Sequence, residues 1–275
     1  MRSVLEICEV GSGRVREVLA VEGRIEAPNW APSGDWLLVN GEGRLFRVPL
    51  DSPALEGLDT GAAVQCNNDH GISPDGRWIF LSSHHEGAGS QVYVMPVEGG
   101  EPVRVSPGGG PSWWHGVSPD GRVLAYVGAR EGRRVIDVHT LVPGQTERRL
   151  TQGEGHCDGP DFSADGARIY YNCDRTGHAQ IWVMAADGAG QRQLFADEFV
   201  NWFPHPSPDG RWLLYLAYPP GTLGHPADLP VALVLCDPEG NYRRRVREFI
   251  GGQGTINVPC WAPDGSAFAY VRYQP

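Results

Sequence analysis

Asn67-Asn68-Asp69-His70-Gly71-Ile72-Ser73-Pro74-Asp75-Gly76-Arg77-Trp78-Ile79-Phe80 is the stretch on which the fold is read. An Asp-Gly pair stands just ahead of a run rich in aromatic and β-branched residues. This is a strong short-range hairpin signal, because glycine accepts the positive φ of a tight turn. Pro74-Asp75-Gly76 has five counterparts: Pro32-Ser33-Gly34, Pro119-Asp120-Gly121, Ala164-Asp165-Gly166, Pro208-Asp209-Gly210 and Pro263-Asp264-Gly265. Successive glycines are 42, 45, 45, 44 and 55 residues apart, and a fixed period of this size marks stacked or radially arranged supersecondary units.

Within the second copy, residues 77–83 read as a strand and residues 84–90 as a polar loop. Residues 91–95 alternate polar and apolar as a further strand, and residues 103–105 form a short last one. With the strand that leads into the Asp-Gly turn, each period holds four strands and no helical pattern, which specifies an all-β, six-bladed β-propeller with four antiparallel strands per blade. The last copy, residues 261–273, supplies only an inner pair. Residues 1–22 supply the missing outer pair, Val4-Leu5-Glu6-Ile7-Cys8 and Val15-Arg16-Glu17-Val18-Leu19 around Gly11-Ser12-Gly13. One domain over 1–275 is expected, with 1–22 completing the blade of 257–275 and leaving no open sheet edge.

The formal net charge of −10 excludes a nucleic-acid backbone as the expected partner and offers no basic face to an anionic membrane. The single basic run, Arg243-Arg244-Arg245, reads as a solvated strand face. Residues 1–30 lack the basic start and continuous apolar core of an export signal, and no apolar run approaches a membrane span. The six cysteines are scattered without a Cys-x-x-Cys, so free buried thiols and a cytoplasmic location are expected, with Cys157 and Cys260 in loops as exceptions to watch.

Ser73-Pro74-Asp75-Gly76-Arg77-Trp78-Ile79-Phe80-Leu81-Ser82 and Ser163-Ala164-Asp165-Gly166-Ala167-Arg168-Ile169-Tyr170-Tyr171-Asn172 resemble the repeat of TolB-type propellers, also called WD40-like or PD40 repeats. Gln180-Ile181-Trp182-Val183-Met184 is similar to the third strand of that repeat. Trp-Asp endings of true WD40 repeats are missing. So are a counterpart of TolB's N-terminal α/β domain and the Gly-x-Ser-x-Gly of prolyl-oligopeptidase relatives. The resemblance covers essentially the whole chain and implies fold rather than function. It is close to small bacterial TolB-like proteins of unassigned function.

Function is sought on one face. Blade-entry segments and second-to-third strand loops share a face. They hold eight of the nine histidines: His70, His115, His156 and His205 in the former, and His84, His85, His178 and His225 in the latter. His70, His115 and His205 are the candidate bases or metal ligands, with Asp69 and Asp158 as acid or orienting groups. Asn29, Asn68, Trp114, Asn201, Trp202, Gln253 and Asn257 are the candidate ligand-binding residues, since aromatics beside amides and carboxylates suit sugar recognition. The competing readings are inter-blade packing for Trp30, Trp113 and Trp202, and capping of loop amides for Asp69 and Asp158.

Three imidazoles with an open position would suit Zn or Mn. The nearest enzymes that the resemblance suggests are oligogalacturonate lyases, cytoplasmic propellers whose channel histidines hold Mn. The long fifth repeat, with Tyr218-Pro219-Pro220-Gly221-Thr222-Leu223-Gly224-His225-Pro226-Ala227-Asp228, is expected to lie over the channel mouth as a partial lid. The reading is a small polar ligand, a carbohydrate or sugar acid, at that mouth. Lyase or hydrolase activity is left open, and a protein-interaction module binding a partner peptide there is the alternative.

Overall fold

In the computed structural model, which describes residues 1–87, 89–132, 136–153 and 155–274, the chain is arranged as six antiparallel sheets. Blades 1 to 5 each have four strands in chain order, with the inner strands Glu26–Trp30, Cys66–Ile72, Ser112–Val117, Cys157–Phe162 and Val200–Pro206. Each inner strand packs on the next, and the strand Ala267–Gln274 packs on Glu26–Trp30 to close the ring.

Blade 6 is built from both chain ends, as the repeat count required. Its strands run Ala267–Gln274, Arg2–Glu9 and Val15–Glu22 outward. The innermost position is held by the segment around Trp261, which bridges to Phe268 and is fixed by Ala269 N–H donating to the Cys260 carbonyl at 2.9 Å. Pro259 and Pro263 cannot donate to a ladder, which keeps this strand short. Glu6, 5% exposed, clamps the closure: Tyr270 Oη donates to its Oε2, and Arg272 Nε donates to its Oε1 at 2.8 Å.

The Asp-Gly turns repeat one hydrogen-bond pattern. In blade 2, Ser73 Oγ donates to Asp75 Oδ1 at 2.6 Å, Arg77 N–H donates to the same carboxylate oxygen at 3.1 Å, and Gly76 takes φ 71°. The side-chain oxygen stands in for a backbone turn partner, which is why Ser and Asp recur at this spacing.

Every inner strand of blades 1 to 5 carries a bulge at the same place, just before its last residues: Glu26/Asn29, Cys66/His70, Trp114/Gly116, Asp158/Asp161 and Trp202/His205. A bulge frees backbone groups and re-aims side chains. Polar side chains of the preceding blade take up the freed N–H groups, Ser82 Oγ accepting from Trp114 N–H at 2.8 Å and Asn172 Oδ1 from Phe203 N–H at 3.0 Å.

Between blades the core is aromatic and aliphatic. Trp114 stacks on Phe80 with ring centroids 5.8 Å apart and lies against Gly71, where a Cβ would come within 2.0 Å of the indole. One cysteine expectation is corrected. Cys157 and Cys173 are cross-strand partners and are joined as a disulfide, whereas Cys8, Cys66, Cys236 and Cys260 are free and buried.

Candidate functional site

The rows expected in segments leading to the inner strands lie within the inner strands themselves. They are not solvated: His70 and His205 are 0% exposed and His115 is 2% exposed. Their side chains are also divided among different surroundings, and for His205 the reason is visible in the numbering. His70 and His115 each stand three residues before the Ser of the turn, whereas His205 stands two before Ser207. In an extended strand a one-residue offset sends a side chain to the other side.

The channel is crossed by one segment. A 3-10 turn, Gln253–Thr255, leads to Ile256 and Asn257, and these reach across to three other blades. His205 Nε2 lies 2.7 Å from the Ile256 carbonyl, and its Nδ1 lies 3.0 Å from Asp161 Oδ2. His115 Nδ1 lies 3.4 Å from the Asn257 carbonyl. Asn257 Nδ2 donates to Asn68 Oδ1 at 3.2 Å and to Asp69 Oδ1 at 2.5 Å. Asn68 and Asn257 thus hold this plug together.

A cavity lies at each end of the inner strands. At the end where the strands begin, a cavity of about 390 Å³ is lined by Asp69, His115, Asp158, Trp202 and Gln253, all anticipated, together with Trp113, His156, His225 and the apolar Val127, Ala129 and Ile136. At the turn end, a cavity of about 280 Å³ is lined by Asn29 and Trp114 with Trp30, Phe162, Trp261 and several turn prolines. The single mouth expected from the sequence is therefore corrected for Asn29 and Trp114. Asn29 ties blades together, donating to the Pro259 carbonyl at 2.7 Å and accepting from Ile72 N–H at 2.9 Å. Asn201 lines neither cavity: it is buried and donates to Asp197 Oδ1 at 2.9 Å.

The entry-end cavity holds the titratable groups. His115 Nε2 is 2.9 Å from Asp158 Oδ1 and 4.0 Å from Asp69 Oδ1. Burial by itself presses the His115 pKa down, but Asp158 and Asp69 outweigh it and leave it raised. Burial likewise pushes Asp158 up, and His115 more than reverses this, holding it below the usual carboxylate range. Asp69 goes the other way: burial first, helped by Asp158, pushes it up to about 6. The result is an ion pair, Asp158 with His115, beside a carboxyl poised to exchange a proton near neutrality.

His225, which the sequence reading placed on this face without assigning it a role, comes from the long loop of blade 5. Its ring meets Trp202 edge-on at 4.5 Å, and its Nε2 is 3.9 Å from Asp158 Oδ2. Burial lowers its pKa, more than Asp158 raises it. The loop is fastened by Tyr218 Oη donating to the Pro226 carbonyl at 3.0 Å and by Arg24 pairing with Asp228 at 2.6 Å. The expected lid is thus present as a wall with one histidine turned to the cavity. The length of the fifth repeat was the signal that could have singled out His225.

The three-histidine ion site does not assemble. His115 and His205 are engaged in separate pairs, and both nitrogens of the buried His70 are without a hydrogen-bond partner. Burial alone pushes His70 down to about 3, so it is neutral. Among the described residues no group of three or more His, Cys, Asp or Glu is arranged to hold a metal. These residues do not fit Zn or Mn.

A closed ring of six four-stranded blades, with a plugged channel and a polar cavity at one mouth, defines a six-bladed β-propeller. The chain belongs to the TolB-like, PD40-repeat propeller family. The family model for the TolB β-propeller domain matches residues 110–224. An uncharacterised protein of Agrobacterium fabrum is 44% identical over all of this chain and 94% of its own length. A solved structure from Agrobacterium tumefaciens that carries a TolB designation is 44% identical, with a TM-score of 0.97 over 100% of this chain and 99% of that one. An oligogalacturonate lyase in complex with manganese shares the fold alone, with 15% identity and a TM-score of 0.60 over 90% of this chain and 74% of that one.

Proposed function

We propose that this propeller binds a small polar ligand, of the size and hydroxylation of a sugar, in the entry-end cavity. The observation that carries the reading is the convergence of Asp69, His115, Asp158 and His225 with Trp113 and Trp202 around one space of about 390 Å³. Ring faces beside fixed hydrogen-bonding groups orient a cyclic polyol, and a concave pocket with a few convergent polar groups is the usual form of a small-molecule site. A larger groove between blades 4 and 5 offers less, because its Glu239 is already paired with Arg168 and Arg192.

Hydrolase or lyase chemistry is the second reading. It is supported by two carboxyls whose surroundings push their proton affinities apart around one imidazole, an arrangement that assigns Asp69 as acid and Asp158 as the group that orients and charges His115. No step in it runs through a metal. A cytoplasmic setting remains part of the proposal.

The test is calorimetric titration of the full chain with neutral oligosaccharides and with uronides, beside the same titrations of Trp113→Ala. Half-buried Trp113 packs against the core between blades 3 and 4, so a thermal melt accompanies each titration, and lost binding without unfolding supports the cavity. If wild type binds nothing in the panel and a protein partner co-purifies instead, the peptide-binding alternative replaces this reading.

A further inference from the structure

The charge of the entry-end cavity narrows its ligand further. The chain contains no lysine, so all 23 of its basic residues are arginine. None of the described residues lining the cavity is an arginine. Its carboxylates are unequally served. Asp158 has His115 Nε2 at 2.9 Å and accepts from Gly159 N–H at 2.7 Å. Asp69 is 3% exposed and has no cation of its own: its close donor is the uncharged amide of Asn257, and His115 stands off at 4.0 Å. Glu26, at the start of the blade 1 inner strand, is a further, half-buried carboxyl, 3.8 Å from Arg24 and close enough to push the Asp69 pKa upward.

A carboxyl buried near other carboxyls without a partner cation is expensive for the folded chain. It becomes favourable once a positive group from outside is placed beside it in a weakly screened cavity. The aromatic lining supplies the same preference independently. Trp113 and Trp202 border the space, and indole faces attract cations more strongly than other rings do. Trp202 is 6% exposed and its Nε1 is buried, so it meets the space through a small part of its ring carbon surface rather than through a donor.

We infer that the ligand of this cavity carries a protonated amine, seated against Asp69 and bordered by Trp113 and Trp202, on a hydroxylated or aromatic body. The inference rests on the reading of the cavity as a ligand site and adds the charge of the ligand to it. It makes sugar acids the disfavoured part of that reading, since the lining's protonated imidazole, His115, is already held by Asp158.

Two sets of similar shape and differing charge test it by titration calorimetry on the full chain: glucosamine, glucose and glucuronate; and 2-phenylethylamine, 2-phenylethanol and phenylacetate. The amine of at least one set should bind roughly tenfold or more tighter than its alcohol, as expected for a desolvated ammonium against a carboxylate and aromatic faces, and the acid should be the weakest member. Asp69→Asn keeps an oxygen for Asn257 to donate to and should erase the amine preference. The wild-type sets decide the matter alone should that variant not fold. Alcohols binding as tightly as amines overturn the amine inference and leave the cavity reading standing. A binding acid with a silent amine does the same. If no member of either set binds, both fall together.

Discussion

His115 Nε2 lies 2.9 Å from Asp158 Oδ1, while Nδ1 of the same ring faces the Asn257 carbonyl at 3.4 Å. Both neighbours are acceptors, so the ring serves both only by carrying two protons. One imidazolium therefore joins blade 3 to blade 4 and to the plug from blade 6. The entry-end cavity and the channel plug share this group, so a change on one side of the ring is felt on the other.

His205→Ala should be costly, because it leaves the buried Asp161 carboxyl without its ring partner and frees the Ile256 carbonyl. The expected loss is about 3 kcal/mol, in the range for breaking a buried pair from one side. Urea unfolding followed by tryptophan fluorescence measures it. A loss under about 1 kcal/mol would mean that the plug is not held by this ring.

Asp69→Asn should act in the opposite sense. The folded-state pKa of Asp69 is raised from 3.8 to about 6, so across that window the folded chain holds a proton that the unfolded chain releases. This group's contribution to stability therefore falls as pH rises through the window and is least favourable above it. Replacing it should flatten that limb and raise stability at neutral pH by up to about 3 kcal/mol, the free-energy equivalent of the shift. Denaturant midpoints of variant and wild type, compared below and above the window, decide it; parallel pH profiles would sink it.

His70 carries the reverse dependence. Its pKa is lowered from 6.5 to about 3, so the unfolded chain binds the extra proton and stability is lost as pH falls through that interval. His70→Leu, which removes two buried nitrogens without partners, should make the protein more resistant to acid. An unchanged acid-unfolding midpoint would contradict the assignment.

Gly71→Ala should destabilise by about 1–3 kcal/mol or more, since the added methyl overlaps the Trp114 ring and the packing must move. Its Cβ would lie 2.0 Å from the indole. Thermal melts suffice, and Trp114→Phe in the same chain should recover part of the loss by vacating the space.

Removing residues 1–22 should expose the edge of the strand Ala267–Gln274 and leave Tyr270 and Arg272 without Glu6. Aggregation on size-exclusion chromatography is the expected outcome. A monomer with the wild-type melting temperature would show that the first two strands are dispensable.

The blade count, the strand order and the shared last blade were all legible in the sequence, because a period near 45 residues punctuated by Asp-Gly admits few other arrangements. That Asp69, His115, Asp158, Trp202 and Gln253 border one space was legible because each lies in the entry segment of a successive repeat. What misled was treating every polar residue before the turn as equivalent. His205 and His115 differ by one position relative to the turn serine, and that one position separates a clasp on Asp161 from a cavity wall. Asn29 and Trp114 lie further along their strands, toward the other mouth. The bulges that re-aim these residues leave only a faint trace in sequence. Positive φ falls four residues before the turn at Ala27, Gly159 and Phe203, and only one of these is glycine. The crossing of the channel by Ile256 and Asn257 had no signal at all, since nothing local specifies which blade an amide will reach.

Glu9 pairs with Ala267 across blade 6, so of the described strands the earliest made waits for the one made last. During synthesis blades 1 to 5 can pack in order, each on its predecessor, while Arg2–Glu9 and Val15–Glu22 remain a hairpin with one unsatisfied edge. Only emergence of the strand Ala267–Gln274 seals the ring, and such sequence-distant pairing is slow because the loop must close before any contact rewards it. A nascent chain stalled shortly before Ala267 would therefore present that hairpin to any passing strand, which gives chaperones a defined interval and a defined surface on which to act.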